Sequence, residues 1–449
     1  MSNDDPVTAS DAAARVEGDA ASPNGRPAGA AAPGTSLWRN PNYRTFLGIQ
    51  TLSAVGDSFS YVAIPLLVLQ VTGSLVQMGI VTGLTGVASI TTGLFAGVVV
   101  DRFDRRTLLM ICDGARCVLY GAVAVVFLVA EPSWLIYLVV PLAGVFSMIF
   151  QVTYVAVVPA IVAADQITRA NGHLYATYAV ASVAGPALAG MVAAAFGPAA
   201  AIGLDAVTFA VAAVGVLFIR LAAGRPDAAR PAVAGAGNVR NEFLAGARFL
   251  WNHPLLRQLT LLLSLLTFLT YGLTDAVIFR LKDELGQPDT VVGYVLTAGT
   301  VGTFVASFVV ARVRGRLGFG PSWIGAFSLA GLAVAGMGLA RSVPALAVLM
   351  AVMLLGTGVA GICSMSLRQE ITPGHLLGRV TAAFWTIHSA LGPLGAGAIT
   401  AVAAGVGVTP VLLAVGTAMV AIALSGAFSS IGRAGATPAA ERALEGARS

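Results

Sequence analysis

The residue best suited to proton chemistry is Asp57, an acidic residue inside a long apolar segment. The segment begins near Arg44, so Asp57 lies about 13 residues, or ~20 Å, along a helix. A charge at the centre of a bilayer costs about 2.5–3.5 kcal/mol on insertion scales, so such a residue needs a reason to be there. Desolvation favours the protonated acid, which would let Asp57 bind and release a proton. Substrate contact and a packing hydrogen bond are the alternatives.

Polar residues accompany Asp57 at helical spacing. They stand at i−7, i−4, i+3 and i+4, and so share one face with it. A polar stripe through an apolar helix is expected to face a cavity or partner helices instead of lipid. The candidate cavity residues of this stripe are Gln50, Ser53, Ser60 and Tyr61.

Two later apolar segments carry similar patterns. Hydroxyl residues recur at spacings of four and three in the seventh segment, and in the eleventh His388 is the only histidine well inside an apolar segment. His388 is a second candidate for proton coupling, because imidazole titrates near neutral pH. A packed hydrogen-bond donor is the alternative for His388, and hydroxyls can bond to their own helix carbonyls. The further candidates for the cavity are Thr260, Ser264, Thr267, Tyr271, Thr381 and Trp385.

The composition predicts the elements that must position these residues. Apolar residues make up 57% of the chain and charged residues 10%, whereas soluble domains have roughly 45–50% and 25%. We therefore expect an all-α integral membrane protein. Twelve apolar segments of about 20 residues or more are predicted to be transmembrane helices. They lie near 45–70, 76–100, 107–129, 134–158, 171–195, 199–220, 257–279, 290–311, 321–340, 343–367, 380–404 and 408–430.

The distribution of Arg predicts the orientation and the domains. One set of alternate links and both tails are basic, whereas the opposite links hold only Arg280, Lys282 and Arg341. Both termini are therefore expected in the cytoplasm, with the protein in the cytoplasmic membrane. The predicted order is a disordered tail over 1–37, a six-helix bundle over 38–220, a cytoplasmic linker over 221–256, a second six-helix bundle over 257–432 and a disordered tail over 433–449.

The chain also repeats itself. NGHLYATYAVASVAGPALAG in the fifth segment matches GRVTAAFWTIHSALGPLGAG in the eleventh, which makes Gly185-Pro186 equivalent to Gly392-Pro393. We expect these pairs to break or bend their helices while letting neighbours approach closely, a gating role. Generic packing of small residues is the alternative. Two parallel six-helix halves with pseudo-two-fold symmetry place a substrate site near the midplane between them.

A charged link between the second and third segments is the remaining gating candidate. Asp101 lies at a helix end among cations, where it can pair with Arg or cap the third helix. Asp113 and Arg116 stand i, i+3 on that third helix, and we expect them to pair or to join Asp101. A simple topogenic cluster is the alternative. The residues of the link are Gly97, Asp101, Arg102, Arg105 and Arg106.

The link GVVVDRFDRR resembles the signature loop of the major facilitator superfamily, with Asp104 standing where a second Gly is usual. Asn42-Tyr-Arg44, Gly56-Asp57 and Val71-Thr-Gly-Ser74 are similar to its branch of macrolide efflux proteins and the enterobactin exporter. The resemblance covers roughly residues 38–430. It implies the twelve-helix major facilitator fold and export of a small molecule.

The predicted function is proton-coupled efflux of a small amphipathic molecule, such as a drug, an antibiotic or a siderophore-like metabolite. The expected partners are this substrate, protons and the bilayer, with a monomer as the functional unit. An importer or lipid flippase on the same scaffold is the alternative, and a non-transporting sensor is a weaker one. The sequence has no GxxxxGK[ST], HExxH or CxxC motif, so we expect no enzyme, cofactor or metal site. Basic residues do not cluster into a patch, which argues against nucleic-acid binding.

Overall fold

A computed structural model describes residues 37–163, 166–219, 236–373 and 376–433. Within these ranges twelve helices are long and apolar enough to cross a membrane. The prediction of an all-α membrane protein with twelve spans is confirmed, and the chain is a multi-pass membrane protein.

The N-terminal bundle consists of six helices, each of which is one span. They are α1 (Pro41–Thr72), α2 (Leu75–Arg102), α3 (Arg105–Val126), α4 (Ser133–Ile161), α5 (Ile167–Phe196) and α6 (Pro198–Leu217). Local chemistry fixes several boundaries. Asn40 and Ser74 cap the first two helices with their side chains, and Gly73 ends α1 at a φ of 59°, in the left-handed region that favours glycine.

The linker contains a helix that the sequence pattern did not predict, α7 (Ala236–Asn252), which packs against the eleventh span. The C-terminal bundle follows, and two of its spans are interrupted. Its helices are α8 (Pro254–Thr270), α9 (Leu273–Phe279), α10 (Asp289–Leu317), α11 (Phe319–Leu339), α12 (Val343–Ile371), α13 (Leu377–Ser389), α14 (Gly392–Val406), α15 (Val408–Ser425) and the short α16 (Ser430–Arg433).

The two glycine–proline pairs have different effects on their helices. The α5 helix runs through Pro186 without a break, whereas the eleventh span stops at Ser389 and restarts at Gly392 as α14. The expected break is therefore present at the pair of the eleventh span and absent at the pair of α5. Each proline removes one backbone donor from its helix. Only the helix that contains Pro393 is divided beside it.

The bundles approach each other closely at one end, which we call the distal end because it is opposite to the start of α1. There α5 lies against α10, and a methyl group on Gly293 would collide with the Pro186 carbonyl. The α2 helix lies against α14, and a methyl group on Gly83 would come 3.0 Å from the Pro393 carbonyl oxygen. Glycine at these positions allows the helices to close the distal end.

Toward the other end, the tail end, the same helix faces are exposed. Phe304 lies 11 residues, or about three turns, beyond Gly293 on one face of α10, and it is 47% exposed. In the eleventh span, Trp385 likewise lies 11 residues from Ala396, and it is 52% exposed. The space between the bundles, which we call the cleft, is therefore closed at the distal end and open at the tail end.

Candidate functional site

The predicted proton-coupling residue lies in an ion pair. Asp57 on α1 pairs with the guanidinium of Arg116 on α3. The Asp57 side chain is half exposed, whereas Arg116 is buried with its guanidinium carbon 3.7 Å from the centre of the Phe209 ring. The cation therefore lies inside the bundle on an aromatic face, and its carboxylate partner remains accessible.

Asp113 gives the same arginine a second carboxyl group. Its Oδ1 atom lies 3.9 Å from an Arg116 terminal nitrogen, and the residue is fully buried. Neither carboxyl oxygen of Asp113 has a hydrogen-bond partner among the described residues. The structure thus joins the expected Asp113–Arg116 pair to Asp57 on α1.

A third carboxyl group, that of Asp205 on α6, completes the cluster. Ser60 donates a hydrogen bond to Asp205, and the Thr208 hydroxyl donates to its Oδ1 atom at 3.2 Å. A methyl group on Gly56 would collide with Asp205 and Thr208. Glycine at position 56 therefore allows α1 to approach α6 closely enough for the Ser60 bond.

The cluster has an excess of acid over base. Arg116 pairs with Asp57 and Asp113, and Asp205 interacts with it electrostatically. Burying unpaired charge is costly, whereas a protonated carboxyl group carries none. A proton bound by the cluster would therefore reduce the net charge that the bundle encloses.

Several of the expected cavity residues are buried in this conformation. Ser53 is 2% exposed, and Ser60 points to Asp205 inside its own bundle. Thr260 and Ser264 donate to the carbonyls of Leu256 and Thr260 at 2.7 and 2.8 Å. The hydroxyl groups therefore satisfy helix carbonyls, the alternative that hydroxyl chemistry offers. Gln50 is half-buried, and Tyr61 is 53% exposed beside Thr274 and Asp275 of the other bundle.

The candidates of the eleventh span gather on an aromatic stack. His388 stacks on Phe384 at 5.2 Å between ring centres, and its Nδ1 atom lies 3.1 Å from the Thr267 hydroxyl on α8. Trp385 contacts both of these rings edge-on. Thr381 is half-buried one turn earlier, and Tyr271 is 37% exposed at the break between α8 and α9.

The signature link is positioned by a residue that was not among the sequence candidates. Asp104 caps α3 and accepts hydrogen bonds from the Thr107 amide and hydroxyl at 2.9 Å. Arg106 donates to the Val216 and Leu217 carbonyls at the end of α6. Arg102 is exposed, and Arg105 lies at the start of α3. The side chain of Asp101 and the surroundings of Gly97 lie outside what the structure describes.

Asp275, near the end of the seventh span, is buried, although acidic side chains are mostly exposed in proteins. The residue is 3% exposed on α9 and accepts a hydrogen bond from Thr82 on α2 at 2.8 Å. It is buried because the closed distal end covers it. The bond joins the two bundles, and its donor was not among the residues singled out in the sequence.

Two known proteins similar in sequence are named for efflux. A family model described as Major Facilitator Superfamily matches residues 46–396. The multidrug efflux pump Tap of Mycobacterium tuberculosis is 30% identical over 362 residues, covering 77% of this chain and 83% of Tap. The enterobactin exporter EntS of Escherichia coli is 26% identical over 362 residues, covering 79% of this chain and 83% of EntS.

Solved structures agree in fold at lower identity. The nucleoside transporter NupG aligns with a TM-score of 0.67 and 12% identity, covering 86% of this chain and 98% of NupG. A bacterial homologue of the iron transporter ferroportin in an inward-facing state aligns with a TM-score of 0.65 and 19% identity, covering 87% and 99%. Each of these structural alignments covers the N-terminal and the C-terminal bundle.

Proposed function

Because this chain belongs to the major facilitator superfamily, and is therefore a membrane transporter of small molecules, we propose that it is a proton-coupled exporter. The observation that carries the proposal is the Asp57–Arg116 ion pair. One partner is half exposed and the other is buried beside a second carboxyl group. The efflux activity named in Tap and EntS supports the direction of transport.

The cluster offers a route for coupling a proton to movement. When Asp57 is ionised, it holds Arg116 toward α1. A proton on Asp57 removes that charge, and Arg116 then has Asp113, already 3.9 Å away, as its ionised partner. The buried cation therefore keeps a counter-ion in both states, which avoids the cost of an unpaired charge. Exchange of partner between α1 and α3 links proton binding to helix position.

Rocking of the two bundles against each other would open the cleft at one end while closing it at the other. The structure has the distal end closed and the tail end open. If both tails lie in the cytoplasm, as the Arg distribution predicts, this conformation faces inward. Substrate would enter from the cytoplasm, and protonation of Asp57 from outside would follow the opening of the distal end.

The proton gradient is sufficient to drive such a cycle. One proton crossing 100 mV provides about 2.3 kcal/mol, to which a pH difference adds. The proposed substrate is a small amphipathic molecule, since the cleft presents aromatic side chains such as Tyr178 and Trp385 beside few charges. A drug, an antibiotic or a siderophore-like metabolite has this character.

Inside-out membrane vesicles test the proposal, with ethidium as the first probe and a wider panel of amphipathic antibiotics after it. An exporter accumulates substrate in such vesicles when they are energised, and a protonophore abolishes the accumulation. Accumulation only in right-side-out vesicles would identify an importer. Labelling of cysteines introduced in the two tails gives the orientation, and tails found on opposite sides would contradict the twelve-span topology.

A further inference from the structure

Arg368 on α12 is a buried cation without an acidic partner. Three arginines are buried in the described part of the chain, namely Arg116, Arg280 and Arg368. Arg116 pairs with Asp57, and Arg280 lies 3.4 Å from Glu284. Arg368 is 3% exposed and takes part in none of the ion pairs of the described residues.

The guanidinium of Arg368 also has unused donors. Its Nε and Nη1 atoms are buried and have no hydrogen-bond partner among the described residues. Its carbon lies 3.8 Å from the centre of the Phe384 ring, so a cation–π contact holds one face. Glu370, two residues further along the chain, pairs with Arg314 at 2.7 Å and is not available. A buried guanidinium that has neither an acidic partner nor a full set of hydrogen bonds needs an anion.

Arg368 lies in the interior of the C-terminal bundle. The α12 helix packs against α10 and α11, whereas α13 packs against α7 and α8. The Arg368–Phe384 contact therefore spans two sides of the bundle. Arg368 is three residues from the end of α12, and Phe384 lies in the first half of the eleventh span, so the contact is in the tail half of the molecule.

An exposed aromatic side chain, that of Trp385, packs against the ring that covers this cation. Trp385 packs edge-on against Phe384 at 5.9 Å between ring centres and is 52% exposed. In the repeat, Trp385 is equivalent to Tyr178 of α5, which is 60% exposed. Both halves of the molecule thus present an aromatic side chain at the equivalent position, and among the described residues only the C-terminal half places a buried, unpaired arginine beside it.

We propose that Arg368 and Trp385 form a subsite for an aromatic substrate carrying a carboxylate. The planar guanidinium suits the two oxygens of a carboxylate, and Trp385 offers a surface for the ring. This inference rests on the proposed function, because it needs a cleft that admits substrates. It extends that function by giving the proposed amphipathic substrate a negatively charged group.

Two dyes with one ring system test the subsite. Fluorescein carries a free carboxylate that its methyl ester lacks, and fluorescence polarisation measures binding of each to the purified full-length chain in detergent. We expect the wild type to bind fluorescein more tightly than the ester. Arg368→Gln should weaken fluorescein binding by about 10-fold or more, the size of a lost charge-assisted bond, and leave ester binding unchanged. Arg368→Lys should give an intermediate loss.

Further variants separate the subsite from a structural role. Trp385→Ala should weaken binding of both dyes, because both share the ring. Arg257→Gln, at an exposed arginine early in α8, should change neither. The proposal is overturned if the wild type does not prefer fluorescein, or if Arg368→Gln weakens both dyes equally or neither.

The exporter proposal fails independently of this one. Arg368-dependent fluorescein binding without energised accumulation of any probe in inside-out vesicles would support the subsite and contradict export. Energised ethidium accumulation with no preference for fluorescein would support export and contradict the subsite.

Discussion

Arg116 and Asp57 connect two helices that are not neighbours in sequence, and they do so with the arginine buried and the carboxylate half exposed. The Phe209 ring covers the guanidinium, and Asp113 lies within reach of the same cation. The pair therefore joins a cation in the protein interior to an accessible carboxylate.

Replacing Arg116 should destabilise the fold. Arg116→Met leaves Asp113 buried without its cation, and breaking a buried pair in this way costs about 3–5 kcal/mol. The double variant Asp113→Asn, Arg116→Met should recover part of the loss, because the fully buried carboxyl group at position 113 is then replaced by an uncharged amide. Thermal unfolding in detergent, followed by circular dichroism, measures both. Arg257→Met is the matched control, and equal melting temperatures for it and Arg116→Met would contradict the pairing.

Asp57→Asn should abolish proton-driven accumulation while leaving the fold intact. The amide keeps the size of the side chain but cannot exchange a proton, and Asp113 remains as a partner for Arg116. The measurement is ethidium accumulation in inside-out vesicles under an imposed pH gradient. Glu131→Gln, at an exposed acid between α3 and α4, is the control. Undiminished accumulation in Asp57→Asn would remove this residue from the coupling role.

Gly293→Ala should impair closure of the distal end. The added methyl group would collide with the Pro186 carbonyl, and such overpacking typically costs about 1–3 kcal/mol. We expect greater labelling of a cysteine introduced at Leu69, near this end, by a membrane-impermeant maleimide, together with slower transport. Gly325→Ala on α11, where nothing lies within 4 Å, should behave as the wild type. Identical labelling of the two variants would argue against this contact.

Thr82→Val should weaken the same closed end through the loss of one hydrogen bond. The variant is close in shape but leaves the buried Asp275 without the Thr82 donor, and stranding a buried polar group costs about 1–3 kcal/mol. Labelling at Leu69→Cys should therefore increase. Thr91→Val, at an exposed threonine of α2 that bonds to its own helix, is the control. An unchanged rate in Thr82→Val would show that this bond does not hold the bundles together.

The Gly56 contact gives a prediction about assembly of the cluster. A methyl group there would collide with Asp205 and Thr208, so Gly56→Ala should separate α1 from α6 and lower the melting temperature. Gly48→Ala on the same helix has open space and should be neutral or slightly stabilising, because alanine favours helix. A melting temperature for Gly56→Ala equal to that of Gly48→Ala would contradict this account of the close approach.

Composition and periodicity determined much of this protein. Apolar segments long enough to cross a bilayer must form helices, because backbone polar groups have no other partners in lipid. The twelve spans therefore followed from composition, whereas the family was indicated by the resemblance of the GVVVDRFDRR link. Asp57 was also identifiable, since a carboxyl group far inside an apolar helix is costly wherever its partner lies.

The partners of these residues were decided by tertiary structure alone. Helical spacing places Ser60 on the Asp57 face, but packing against α6 turns it to Asp205. Asp275 belongs to the seventh span, yet the close approach of two segments distant in sequence buries it against Thr82. Arg368 is indistinguishable in sequence from an arginine that sets topology. Contacts between residues more than a hundred positions apart depend on how the helices are arranged, and one-dimensional spacing carries no information about that arrangement.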